Sequence, residues 1–342
     1  MKAAIYNPYL DSMGGGERYT LAVASYFASR ECQVDIEWKD QTIKQKLEGR
    51  FGVNLDNVNF VESVKKGDGY DVCFWVSDGS IPLLRARKNL LHFQVPFHGV
   101  GGGSLMNRMK LFRINKIICN SSFTKKVIDK EYGVNSEVVY PPVSVEKFKP
   151  KRKENIILYV GRFSQLKQSK RQEVLIEAFR KFYKSGFRDY KLVLAGGTEV
   201  GSGDFVKSLR AQIVAYPIEI IESPSFKELV GLYAKAKFFW AAAGFGCNEK
   251  REPELVEHFG ITLVEAMAAG VVPLVYEAGG FKEIIKNGQS GFFWKSVGEL
   301  NTKTRRLVED KKLLREISEN SIERSRLFGY EAFNIALEKI LA

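Results

Sequence analysis

Two glutamates, Glu257 and Glu265, stand eight positions apart in the run Glu-His-Phe-Gly-Ile-Thr-Leu-Val-Glu-Ala-Met-Ala-Ala-Gly that fills 257–270. A Phe-Gly turn follows the first, and small residues suited to a packed helix surround the second. Thr262 is a candidate helix N-cap, with Glu265 three residues on as in a capping box. A helix start at that point turns unbonded backbone N–H groups toward an anion. Glu257 would sit in the loop just before it and Glu265 in the first turn, on the same rim. Carboxylates so placed suit hydroxyl groups, and N–H groups suit a diphosphate. Together they read as a nucleotide-sugar site; the competing reading is a capped, Ala-rich core helix.

Strands and helices that alternate along the chain would hold such a rim. The first half opens with the strand Ala3–Tyr6, then Asn7-Pro8 and the glycines Gly14, Gly15 and Gly16. Glycines that end a strand and open a helix let backbone approach a diphosphate closely. Tyr19, Val23, Tyr26 and Phe27 share one helical face over 18–27. Strands follow at 34–38, 71–76, 89–93 and 116–120, a helix at 123–132 capped by Ser121-Ser122, and a last strand at 138–140. The second half repeats the plan. Asn155–Val160 is a continuous apolar run of the kind buried in parallel sheets. Helices at 174–183 and 227–235 alternate with strands at 191–195, 218–221, 238–241 and 272–276, the last completing the sheet. The expected fold is α/β, two Rossmann-like doubly wound domains facing across a cleft. We divide the chain into residues 1–149, residues 150–320 and a terminal helical segment, 321–342, that crosses back to the first domain.

Composition limits the alternatives. A chain of 342 residues with 45% hydrophobic content suits two soluble domains. No apolar run approaches the roughly 20 residues of a membrane span, and no export signal is visible at the N-terminus. Cys32, Cys73, Cys119 and Cys247 are scattered and form no Cys-x-x-Cys, and there are three histidines, so a zinc site and a disulfide framework are not expected. A reducing, cytoplasmic setting fits these thiols. The net charge of +12 is concentrated: between 85 and 130 stand ten cations and one acid, Asp129. Such a region attracts phosphates, nucleic acid or an anionic membrane, unless it is a plain solvated face. Within it, Leu105, Met109 and Phe112 fall on one face of a helix flanked by Arg108 and Lys110. That pattern suits peripheral contact with anionic lipid, on the inner face of a membrane that holds a lipid-linked acceptor.

These motifs resemble retaining glycosyltransferases of family 4, which have the GT-B fold, and the resemblance covers essentially the whole chain. It is carried by Gly14-Gly15-Gly16-Glu17-Arg18, by Asn120-Ser121-Ser122 with Tyr140-Pro141-Pro142, by Gly161-Arg162-Phe163, by the 257–270 run and by Gly279-Gly280. The Glu-His-Phe-Gly-Ile wording is similar to that of cytosolic mannosyltransferases that extend lipid-linked oligosaccharides, and of bacterial polysaccharide enzymes. Those enzymes use nucleotide-activated sugars and no metal, and the chain contains no Asp-x-Asp motif. The resemblance implies a retaining, metal-independent transfer of a hexose to a glycan or lipid-linked acceptor. GDP-mannose is favoured as donor, with a UDP-sugar next.

By the same resemblance, Glu257 binds the hexose hydroxyls and Glu265 the ribose, while Gly15, Gly16, Gly260, Ile261, Thr262 and Leu263 offer backbone to the donor. Arg162 and a lysine stabilise the leaving diphosphate. The lysine is Lys167 by its spacing from Arg162, or Lys170 by counting back from Ile176-Glu177-Ala178-Phe179, and Lys170 is preferred. One position departs from the family. Relatives place a histidine before a Phe-Pro or Tyr-Pro step, where this chain has Gln94-Val95-Pro96-Phe97. His92, on the same strand face two residues earlier, or Gln94 would then donate to the sugar; His98 is also near. Two other readings remain: a different GT-B enzyme, such as a nucleotide-sugar epimerase, and a basic nucleic-acid-binding protein. The second leaves the glutamate pair unexplained.

Overall fold

Val72–Val76 and Ile156–Val160 are apolar on both faces, so each must lie inside a sheet covered on two sides. Both do so in the computed structural model, which describes residues 1–12, 14–164, 169–199 and 201–342. The chain forms two units, Met1–Pro142 with Tyr330–Ala342, and Val143–Gly329.

In the first unit the elements run β1 (Lys2–Tyr6), α1 (Gly15–Ala28), β2 (Gln33–Glu37), α2 (Ile43–Phe51), β3 (Val58–Val61), β4 (Val72–Val76), β5 (Lys88–Phe93), α3 (Leu105–Leu111), β6 (Lys116–Cys119), α4 (Ser122–Tyr132) and β7 (Glu137–Val138). The sheet order is β3-β2-β1-β4-β5-β6-β7, with every pairing parallel. In the second unit come β8 (Ile156–Val160), α5 (Gln172–Lys184), β9 (Lys191–Gly196), α6 (Gly203–Ile213), β10 (Ile218–Glu222), α7 (Phe226–Lys235), β11 (Phe238–Ala241), α8 (Ile261–Ala268), β12 (Val272–Tyr276), α9 (Phe281–Ile284), β13 (Phe292–Trp294), α10 (Val297–Glu309) and α11 (Lys311–Ser325). Its order is β10-β9-β8-β11-β12-β13, again all parallel. Each sheet starts in the middle, runs to one edge and returns to build the other, as a doubly wound Rossmann-like sheet does.

The expected second sheet stopped at Tyr276; β13 extends it by one short strand. α2, β3, α6, α9 and α10 also lie outside the sequence expectation. Their apolar residues are few or offset by charge: α2 buries only Ile43 and Leu47, and the buried face of β3 is Val58 and Phe60.

The division of the chain also differs from 149/150 and 320/321. Val143 N–H donates to Phe328 O, and Ser318 and Ser321 of α11 donate to Gly270 O and Ser290 O, so these segments stay with the second unit. Only the last helix, α12 (Tyr330–Leu341), lies in the first unit. There Phe333, Leu337 and Ile340 join the core built by α1 and β1 to β5.

Phe333 is 2% exposed and meets Tyr19 edge to face at 5.4 Å. Phe333→Ala should destabilise the first unit by about 3–5 kcal/mol, the usual cost of emptying such a site. Urea denaturation checks this; a loss under about 1 kcal/mol would mean that α12 is not part of that core.

Candidate functional site

Doubly wound sheets bind ligands beyond the carboxyl ends of their strands, where the strand order reverses. In the second unit that point lies between β8 and β11. The turn after β8 carries Gly161 and Arg162. It is held close to the sheet: Gly161 N–H donates to Ala195 O at 2.9 Å and Phe163 N–H to Gly197 O at 2.8 Å. A Cβ on Gly161 would fall 2.1 Å from the Tyr159 hydroxyl, and one on Gly196 would fall 2.0 Å from Gly161 O, so both positions need glycine. Gln172 Nε2 donates to Arg162 O at 2.7 Å from a fully buried side chain. The Arg162 side chain is exposed, and no carboxylate pairs with it among the described residues.

Arg171, at the start of α5, has φ of 57° and ψ of 41°, the left-handed region that a residue with a Cβ rarely enters. This turn sends its neighbours apart: Gln172 goes to Arg162 O, while Lys170 Nζ reaches Glu257 Oε2 at 2.9 Å. The pair is largely shielded, with side chains 12% and 18% exposed. Lys170 is thus joined to the site. Lys167 lies outside the described residues.

Glu257 sits in the loop before α8, as expected. Gly279 and Gly280, following β12, form its seat. Gly280 N–H donates to Glu257 O at 2.7 Å, and a Cβ at Gly279 or Gly280 would fall 2.2 Å from Glu257 O or 2.4 Å from His258 O. The second Gly-Gly motif is therefore a backbone-on-backbone contact that fixes the glutamate loop.

The helix start differs from the expected one. Gly260, at φ 116°, is the N-cap of α8, and Thr262 is its second residue. Phe259 turns into the core and Gly260 packs on Phe281, which rules out a side-chain cap. The register shift moves Glu265 from the first turn to the second. Leu263 N–H turns back to Gly260 O at 3.1 Å. The N–H groups of Ile261 and Thr262 make no hydrogen bond among the described residues, which leaves them pointing out of the helix start.

Glu265 is 4% exposed and accepts from the Tyr233 hydroxyl at 3.0 Å. Lys153 Nζ donates to Ala269 O at 2.6 Å and to Tyr233 O at 3.4 Å, tying the end of α8 to α7. Burial lowers the Lys153 amine to about 7. Tyr233, Lys153, Gln172 and Gly280 thus support the site, and sequence reading assigned no role to the first three. A tyrosine in an amphipathic helix and a lysine in a linker carry no local signal of such a partner.

The first unit brings Gly16 and Gln94 together. A Cβ on Gly16 would fall 2.2 Å from Gln94 Oε1, so the glycine makes room for that amide. Gln94 Oε1 is buried with no hydrogen-bond partner, while its backbone carbonyl accepts from Asn120 Nδ2 at 3.0 Å. Gly14 and Gly15 begin α1, where Gly14 N–H donates to the buried carboxylate of Glu17 at 2.6 Å. His92 requires a correction. It is fully buried in β5, stacked on Tyr19 at 4.2 Å and on Phe74 at 5.3 Å, with neither ring nitrogen hydrogen-bonded. It is a core residue with no exposed surface. His98 is exposed and faces Glu131, 3.7 Å away.

Burial lowers the His92 pKa to about 3. The unfolded chain, with an ordinary value near 6.5, therefore binds the proton first as the pH falls. His92 costs nothing above about pH 6.5 and destabilises progressively from there toward pH 3. At pH 5 the cost should be about 2 kcal/mol. His92→Phe should remove it, so that urea denaturation shows the variant losing less stability than the wild type between pH 7 and pH 5. Parallel losses would show that the imidazole protonates within the fold.

Comparison with known proteins adds to this geometry. The family model for glycosyl transferases group 1 matches residues 143–324. Over 197 residues the chain is 29% identical to the GDP-Man:Man(3)GlcNAc(2)-PP-Dol alpha-1,2-mannosyltransferase of Neurospora crassa, covering 49% of this chain and 34% of that enzyme. The chain thus spans about a third of that relative's length. It is 28% identical over 239 residues to the O-antigen chain mannosyltransferase RfbU of Salmonella typhimurium, covering 66% and 61% of the two chains. The crystal structure of Anabaena HepE in complex with UDP superposes with a TM-score of 0.78 at 19% identity, over 100% of this chain and 99% of that one. That likeness establishes the expected GT-B type of fold. With more than half of its residues matched by the family model, this chain belongs to the glycosyl transferases group 1 family.

Proposed function

We propose that the protein transfers a hexose from a nucleoside-diphosphate sugar to a glycan or lipid-linked acceptor, with retention at the sugar and without a metal. The observation that carries this reading is the Lys170–Glu257 pair, set beside the helix start of α8 and on the same sheet end as the exposed Arg162. A diphosphate leaving group develops negative charge as the glycosidic bond breaks. Fixed cations and N–H groups already aimed at that place stabilise it without reorganisation. Arg162 offers a planar fork, Lys170 a point charge, and Ile261 and Thr262 the partial positive charge of a helix start.

In this reading Glu257 holds hexose hydroxyls, with Lys170 fixing its carboxylate. Glu265 takes the ribose hydroxyls, positioned by Tyr233. In the first unit, Gln94 offers a buried acceptor oxygen without a partner to a hydroxyl group. Retention follows if the acceptor attacks the face the diphosphate leaves. The departing phosphate oxygen then takes the acceptor proton as the new C–O bond forms. The names of the relatives favour a GDP-mannose donor, and the UDP complex of HepE supports a UDP-sugar as the next choice.

Two measurements test the reading. Thermal denaturation with GDP-, UDP-, ADP- and dTDP-sugars, without added metal, should show stabilisation by one nucleotide class, about 3 kcal/mol at about 100 times its dissociation constant. No shift with any would overturn the donor assignment. Arg162→Ala, at an exposed position, should fold normally and lose about a hundredfold or more in transfer from that donor. Glu257→Gln should lose a comparable amount while keeping the nucleotide-induced shift. Undiminished transfer in either variant would remove that residue from the mechanism.

A further inference from the structure

Large apolar side chains are normally scattered when exposed. Of the eleven most exposed among the described residues, six lie between Leu83 and Phe112: Leu83, Val100, Leu105, Met106, Met109 and Phe112. The last four are 65–90% exposed and fall within eight consecutive residues. α3 buries none of its own residues.

The helix is nevertheless oriented. At about 100° per residue, Leu105, Met109 and Phe112 form one line with Met106 beside it, while Leu111 falls on the other side. Leu111 and Ile114 pack against the cluster of Phe93, Ile128 and Tyr132, so the opposite, apolar face turns to solvent. Arg108 and Lys110 fall on either flank of that face, and no ion pair joins them to a carboxylate among the described residues. Arg113, also exposed, donates to Leu84 O at 3.4 Å.

The segment before α3 is built to present this face. Glu131 accepts from the N–H groups of Gly99, Val100 and Gly102 at 3.0, 2.9 and 3.2 Å. Gly99 and Gly101 have φ of 69°, and a Cβ on Gly102 would fall 2.6 Å from the Tyr132 ring. Val100 is thereby held outward, 48% exposed, at the tip of a glycine turn. One carboxylate, 13% exposed, thus anchors three N–H groups of the turn.

We propose that Val100, α3 and Phe112 form a docking face for an anionic lipid bilayer, the apolar side chains entering the headgroup–acyl boundary while Arg108, Lys110 and Arg113 meet lipid phosphates. Charge selects this occupant. An apolar stripe bordered on both sides by unpaired cations matches a surface that is apolar within and anionic at its rim. A second copy of this chain would bring the same cations together. The inference stands independently of the donor chemistry.

The test is flotation of the whole protein with phosphatidylcholine vesicles and with vesicles containing about 30% phosphatidylglycerol, a composition chosen to give a strongly negative surface. The protein should float with the anionic vesicles, with binding weakened at least about tenfold between 0.05 and 0.5 M salt as the charges are screened. Met106→Ser/Phe112→Ser and Arg108→Glu/Lys110→Glu should each weaken binding at least about tenfold. All four positions are solvent-exposed or half-buried, so unchanged thermal denaturation serves as the folding control. Equal binding to both vesicle types, no binding, or binding that survives either double substitution would overturn the proposal. So would a concentration-dependent dimer in size-exclusion chromatography that Met106→Ser/Phe112→Ser abolishes.

Discussion

The backbone contact between Gly279-Gly280 and residues 257–259 is the constraint on which the candidate site rests. Without side chains at those two glycines, the loop before α8 lies directly on the turn after β12, and Gly280 N–H bonds Glu257 O. This sets the height of Glu257 above the sheet and the direction in which α8 departs. It also places the Glu257 carboxylate within reach of Lys170. Close backbone contact between two loops leaves little slack, because neither can move without breaking a hydrogen bond or creating an overlap with atoms already at van der Waals distance.

The surrounding residues follow the same logic. Gly161 sits over the Tyr159 hydroxyl and Gly196 under Gly161 O, so the turn that carries Arg162 is pressed onto the strand ends. The left-handed turn at Arg171 separates Lys170 from Gln172 and lets the first serve the carboxylate while the second holds the Arg162 carbonyl. Strain of this kind persists only where neighbours over-determine it. Below the rim, Lys153 and Tyr233 tie α7 to α8, so the helix carrying Glu265 is fixed at its far end as well. The site is thus supported from three strand ends, β8, β9 and β12, in one unit.

The first unit shows how residue type alone misleads. Histidine is the usual choice for a donor near neutral pH, and His92 stands two positions from Gln94 on one strand face. Alternation predicts a shared direction, but depth decides accessibility. Gln94 lies one residue past the end of β5, whereas His92, the last residue but one of that strand, pairs with Val76 and Ile118 and is fully buried. Three aromatic rings, Tyr19, Phe74 and His92, stack there, and α12 closes over Tyr19. That closure comes from residues more than two hundred positions away in the chain, which no local pattern reports.

What the sequence determined by itself is the class of the fold and where the candidate glutamates and glycines stand along the chain. Continuous apolar strands alternating with amphipathic helices specify buried parallel sheets, because burial on both faces leaves a period that can be read locally. The glycines at 16, 161, 260, 279 and 280 and the Glu-x7-Glu spacing were likewise legible, since a residue without a Cβ or a charge in a small-residue helix stands out from its neighbours. Tertiary structure decided the rest. The N-cap moved from Thr262 to Gly260 because Phe259 and Phe281 pack there. Lys170 found Glu257 across 87 residues, and Tyr233 found Glu265 across 32. Short elements such as α2, β3 and β13 exist because neighbouring strands already offer a ladder and a core. Partners distant in sequence leave no local periodicity, so their pairing is decided only when the sheets close.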